Sequence, residues 1–195
     1  VKRRDRERAP TVRLIRTVPE PQPQLEPVDE PQPQLEPVDD LERRVGLMKP
    51  ILTFVLGSTT GWAVRWDEDH IASGTEVFAF GERTGTRLLG FRDWLRELLD
   101  LTNGVLVAYE DPSSKTGRFV HNLEGVLLTE LEGRASYVCP KAADVAKHVI
   151  GRRAASSSEL IAAAAERWKK EVTSAQEARA LGLLSWVLDV VGEPR

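Results

Sequence analysis

The chain has 195 residues, 41% of them hydrophobic, which is enough for one ordinary domain with a real core. Without an apolar run of about 18 residues or a secretory hydrophobic stretch, it reads as a soluble, cytoplasmic protein with no membrane partner. Its formal net charge of −3 does not by itself announce a nucleic-acid binder.

That net charge hides a block structure. Residues 1–16 carry Lys2, Arg3, Arg4, Arg6, Arg8, Arg13 and Arg16 against Asp5 and Glu7, whereas residues 17–42 carry acids and no base. The decapeptide EPQPQLEPVD at 20–29 recurs unchanged at 30–39 and is rich in proline. Proline removes backbone donors and fixes φ, and the acids repel one another. Residues 1–47 therefore read as a disordered basic arm followed by an acidic, extended Pro/Gln-rich linker. The arm is placed to touch phosphates or to stay a solvated tail. Met48 is an alternative start to Val1, and residues 48–195 form the expected folded domain.

Strand signals open that domain. Pro50–Leu56 is a short buried-type strand ended by Gly57-Ser58-Thr59-Thr60-Gly61. Trp62–Trp66 and Ile71–Phe80 follow as a second and third strand, with Asp67-Glu68-Asp69 as the turn between them. Leu88, Phe91, Leu95 and Leu98 then mark one face of a helix over about 84–101. Val105–Tyr109 is a continuous apolar run suited to a central parallel strand. A helix over 116–131, a strand over 135–139, and helices over 141–149, 155–170 and 174–191 complete the order. This βββαβαβ pattern, followed by helices, predicts an α/β fold, a mixed five-stranded sheet with helices on both faces.

Motifs within this order carry a resemblance. Ile51–Ala63, reading ILTFVLGSTTGWA, resembles the first-strand LALDLGTTTGWA of phage and prophage RuvC-like Holliday-junction resolvases, in the ribonuclease H superfamily. Ser73-Gly74-Thr75 with Phe78 resembles their SGT-x-x-F. Val107-Ala108-Tyr109-Glu110 resembles the strand ending in their second acid, and Gly117–Gly125 the helix after it. Gly151-Arg152 resembles their GKGNADK-type loop, and Gln176–Leu181 their last-helix NEADAL. The resemblance covers about residues 50–190 and implies a ribonuclease H-like fold, a homodimer, branched or double-stranded DNA as partner and Mg²⁺ or Mn²⁺ as cofactor.

Phosphodiester cleavage by such proteins uses two divalent metals about 4 Å apart, which activate water and relieve charge on the leaving oxygen. Magnesium wants hard carboxylate oxygens. Here the matching positions read Val55, Glu110, Gln176 and Arg179, so Glu110 alone keeps its acid. The loop lysine falls near Ser157 and is lost as well. Arg179 is placed to pair with Glu110, a structural and not a catalytic arrangement. Asp111 and Glu177 are possible substitute ligands, although Glu177 lies about 100° around the helix from the position the resemblance implies. The sequence therefore reads as a junction-binding pseudo-resolvase. An active endodeoxyribonuclease with a rearranged acid site and a non-catalytic scaffold are the alternatives.

Lys115, Arg118, Lys147, Arg152 and Arg153 lie in segments that border the DNA cleft of the resembled fold, and are candidate phosphate contacts or a solvated charged surface. Trp62, Trp66 and Trp94 read as core, and Trp186 as core or dimer contact. Ser156–Glu159 reads as a helix N-cap. The segment Gly57–Gly61 lacks the lysine and helix of a phosphate loop. His70, His121 and His148 show no ligand spacing, and Cys139, the one cysteine, excludes an internal disulfide.

Overall fold

The computed structural model describes residues 49–78, 83–102, 106–112 and 116–192. The arm and linker expected at 1–47, together with Lys115 and Phe80, lie outside the described residues. Strands β1 (Ile51–Val55), β2 (Thr59–Arg65) and β3 (Ile71–Val77) precede α1 (Thr84–Thr102). Then come β4 (Leu106–Tyr109), α2 (Arg118–Leu131), β5 (Ser136–Val138), α3 (Ala142–Ile150), α4 (Ser157–Trp168) and α5 (Ala175–Trp186). The chain continues from α5 into a π-helical turn, Val187–Val191. Among the described residues, no helix is long and apolar enough to cross a membrane.

The five strands order as β3-β2-β1-β4-β5. β1–β2 and β2–β3 are antiparallel, and β1–β4 and β4–β5 are parallel, so the sheet is mixed as expected. Alternation along β1 divides two cores. Leu52 and Phe54 join Phe91, Leu95, Leu123 and Leu127 beneath α1 and α2. Ile51 and Val55 join Val145, Ala180, Leu181 and Leu184 beneath the C-terminal helices. Every residue of β1 is buried, which is why it reads as an apolar run interrupted only by Thr53.

Helix α5 is enclosed on several sides. Ala180 and Leu181 face the sheet core, Gly182 lies against Val149 of α3, and the Leu181 carbonyl accepts from Trp168 Nε1 of α4 at 3.3 Å. Small residues at Ala178, Ala180 and Gly182 let these neighbours come close. Thr53, in the middle of β1, donates its hydroxyl to the Ala180 carbonyl at 2.9 Å and so ties sheet to helix.

Three expectations are corrected. β2 begins at Thr59 and not Trp62, because Thr59 and Thr60 pair in register with Val77 and Glu76. The Thr-Thr-Gly segment is thus strand, with the Thr60 hydroxyl donating to the Gly57 carbonyl at 2.9 Å to close the preceding bend. Trp66 is 37% exposed at the end of β2 and is not core. The last helix does not stay regular to residue 191, since the π-helical turn replaces its end. The expected cap at α4 is present: Ser156 Oγ accepts from the Glu159 N–H, and the Glu159 carboxylate accepts from the Ser156 N–H at 2.9 Å.

Candidate site at the ends of β1 and β4

β1 and β4 run parallel with Phe54 opposite Tyr109, and the Glu110 N–H extends that ladder by donating to the Phe54 carbonyl at 3.1 Å. Val55 and Glu110 are therefore neighbours at the carboxyl ends of adjacent central strands. Side-chain alternation turns both toward α5, on the face that also holds Ala108. Both are buried, Val55 at 2% and Glu110 at 6% exposure.

Helix α5 completes the site. The Ser174 hydroxyl caps its first turn by accepting from the Gln176 N–H at 3.2 Å. Gly61 of β2 lets that turn lie directly on the sheet, since a Cβ there would stand 2.0 Å from the Gln176 carbonyl oxygen. One turn further on, Arg179 Nη2 donates to Glu110 Oε2, and Arg179 Nη1 donates to Gln176 Oε1 at 3.3 Å. The pairing for which the sequence placed Arg179 is formed. Burial pushes the Glu110 carboxyl above its ordinary range, and the Arg179 guanidinium pulls it back only in part.

Two clefts meet at this pair. The smaller, about 170 Å³, is lined by Val55, Glu110, Asp111, Thr116, Val120 and Arg179. The larger, about 300 Å³, is lined by Glu110, Arg153, Ser157, Arg179 and an apolar wall that includes Ala142 and Ala146. Asp111 is exposed, and its N–H donates to the Pro140 carbonyl at 3.0 Å. Glu177 lines neither cleft. It is 9% exposed, and its Oε1 accepts from Ser73 Oγ at 2.6 Å and Lys170 Nζ at 3.1 Å. The Ser73–Lys170–Glu177 link left no trace in the sequence, because Ser73 and Glu177 are far apart along the chain.

Of the candidate phosphate contacts, Arg153 reaches the larger cleft, where Asp144 lies 4.0 Å away. Arg152 is paired with Glu159. Arg118 and Lys147 are exposed on α2 and α3 but line neither cleft. Lys115 lies outside the described residues. Ser157, at the position matched to the lost loop lysine, lines the larger cleft, whereas Thr116 and Val120 were not singled out and only the tertiary arrangement brings them in.

This donor set does not suit a pair of hard divalent cations. Val55 has no oxygen, Gln176 offers a neutral amide already engaged by Arg179, and Glu110 accepts from a guanidinium. Among the described residues, no group of three or more His, Cys, Asp or Glu is arranged to hold a metal ion.

No protein-family model and no curated protein matches the sequence. Solved structures do match the fold. The Thermus thermophilus RuvC structure superposes with a TM-score of 0.58 at 13% identity, covering 74% of this chain and 98% of that one. T. thermophilus RuvC in complex with Holliday junction substrate superposes with a TM-score of 0.52 at 15% identity, covering 69% of this chain and 90% of that one. With its mixed five-stranded sheet, flanking helices and strand order, the chain has the RuvC-like, ribonuclease H-type fold.

Proposed function

We propose that the chain binds branched DNA, Holliday junctions above all, as a RuvC-like protein of phage or prophage type that has lost two-metal cleavage. The observation that supports this is the Glu110–Arg179 ion pair beside Val55. The resemblance implies acids that gather metal at these positions, and here a buried carboxylate is met by a cation fixed to the protein. The Thermus neighbour seen with a Holliday junction substrate supports branched DNA as the partner. Arg118, Lys147, Arg152 and Arg153 are the phosphate contacts within the described residues in this reading, and the working unit is a homodimer. Mg²⁺ or Mn²⁺, implied by the resemblance, has no cleavage role here.

The test is a four-way-junction binding and nicking assay with Mg²⁺ and with Mn²⁺, using the native chain and its Val55→Asp, Gln176→Asp, Arg179→Asp variant. Junction binding tighter than duplex binding, with no nicking by the native chain, is the expected result. Nicking by the native chain that Glu110→Gln abolishes would restore the active-nuclease reading. Equal binding to junction and duplex would favour a scaffold. Removal of residues 1–47 leaves affinity and its salt dependence unchanged if the DNA contacts belong to the folded body. Sedimentation of the native chain tests the homodimer.

A further inference from the structure

A DNA partner, as in the junction-binding reading, would bring phosphates to the cleft beside Glu110 and Arg179. The geometry points to a metal-independent phosphate subsite in the larger cleft, with Arg179 and Arg153 as its cationic walls and a DNA phosphodiester as its ligand.

Arg179 stands where the two clefts meet and lines both. Its side chain is 35% exposed, so it is held by the protein yet open to a ligand. Bonds to Glu110 and Gln176 engage the two terminal nitrogens, and the remaining N–H donors of the planar fork stay available. A guanidinium whose rotamer is fixed in advance loses little entropy on gripping an oxyanion, and it matches phosphate geometry better than an ammonium does. Glu110 then acts as a positioning residue. It is too buried to meet the ligand broadly, and its charge is offset by the guanidinium it orients.

Arg153 supplies the surplus positive charge. Its side chain is 73% exposed, and Asp144 at 4.0 Å is beyond hydrogen-bond reach, so a phosphate oxygen can take that place. Ser157, on the same cleft, adds a hydroxyl. Arg152 does not line this cleft, and it is paired with Glu159, which also caps α4. The residues lining the cleft thus carry two guanidinium groups against one buried carboxylate, with the exposed Asp144 outside the lining and 4.0 Å from Arg153. That balance attracts an anion and disfavours a free divalent cation.

The test uses the full chain in EDTA and two measurements. Inorganic phosphate is titrated while the arginine Nε–Hε resonances are followed, with Arg153→Gln and the Glu110→Gln/Arg179→Gln double variant giving the assignments. The double variant removes both members of the pair and so leaves no unpaired buried charge. Saturable shifts of the Arg153 and Arg179 signals without divalent metal are expected. Salt-dependent binding to a four-way junction is then compared among the same proteins. Each variant is expected to reduce the steepness of log K against log[salt] by about one and to weaken binding about tenfold.

Unmoved arginine signals, shifts that require Mg²⁺, or parental salt slopes in both variants would overturn the subsite. Should the double variant fail to fold, the exposed Arg153→Gln and the titration of the parent decide the matter by the same criteria. A parent that shows the phosphate-dependent shifts but binds junctions no better than duplex would sink the junction reading and leave the subsite standing.

Discussion

Gly61 of β2 and Gln176 of α5 meet backbone to backbone, so closely that a Cβ on Gly61 would stand 2.0 Å from the Gln176 carbonyl oxygen and 2.3 Å from its carbon. The contact sets how low α5 sits on the sheet. Arg179 lies one turn along the same helix, so the missing side chain at Gly61 also sets where the guanidinium meets Glu110. Fold and site are coupled through this one approach.

Gly61→Ala forces strand and helix apart, because the atom it meets is backbone and cannot rotate away. Overpacking typically costs about 1–3 kcal/mol, and this contact belongs at the top of that range. Gly125→Ala, exposed on α2 with open space around its Cβ position, should instead stabilise by roughly 0.5–1 kcal/mol. Urea unfolding of the two variants checks the contrast, and equal midpoints would contradict the close approach.

The Glu110–Arg179 pair should show strong coupling in a double-mutant cycle. Arg179→Gln leaves a buried carboxylate without its cation and is expected to cost about 2 kcal/mol, below the range for fully buried pairs because Arg179 is partly open to water. Glu110→Gln should cost less, since water reaches the guanidinium. The double variant should be more stable than additivity allows, and a cycle that closes to zero would mean the pair does not form.

Divalent metal should distinguish the native chain from a restored acid site. For the native chain, Mg²⁺ is expected to leave the melting temperature unchanged. The Val55→Asp, Gln176→Asp, Arg179→Asp variant places carboxylates beside Glu110, so it should melt lower in EDTA and recover with Mg²⁺. Full occupancy at about a hundredfold excess over Kd adds roughly 2.7 kcal/mol to a folded state that alone binds the ion. Calorimetry with and without metal reads both arms.

Acid should weaken the attachment of the last turn. Asp189 accepts from Arg167 Nη2 at 3.0 Å and pairs with His148 Nε2 at 2.9 Å. The hydrogen bond from Arg167 is the main cause that holds its carboxyl below the usual aspartate value; burial opposes it, and the hydrogen bond with His148 adds to the lowering. A carboxyl lowered in the folded state binds fewer protons than in the unfolded chain. Its stabilisation is therefore present above the ordinary aspartate pKa near 3.8 and is lost as pH falls through the lower folded value. Asp189→Asn should flatten the acid limb of a stability–pH profile below about pH 4, and an unchanged limb would count against the contact.

Much of the fold was legible because its signals are local or periodic. The all-buried β1, the helical stripe through Phe91 and Leu95, and the serine cap before α4 each read directly from adjacent residues. The start of β2 did not, because Thr59 and Thr60 look like loop until Val77 and Glu76 pair with them. Trp66 looks like core by composition, and only its place at a strand end exposes it. At the site, the placement of Arg179 against Glu110 was readable by resemblance. The commitment of Glu177 to Ser73 and Lys170 was not, since no local pattern joins those residues.

The sequence by itself determined the residue types at the ends of β1 and β4 and on α5: a valine, a glutamate, a glutamine and an arginine. Chemistry limits what such a set can hold, whatever the fold. The tertiary structure decided that the four converge, that Arg179 engages Glu110 while Glu177 turns to β3, and that Arg153 and Ser157 join the same cleft. The physical reason is that side-chain type is a property of the chain, whereas burial, pairing and desolvation arise only when distant segments pack. Gly61 embodies both, a local absence of Cβ whose consequence lies on another element.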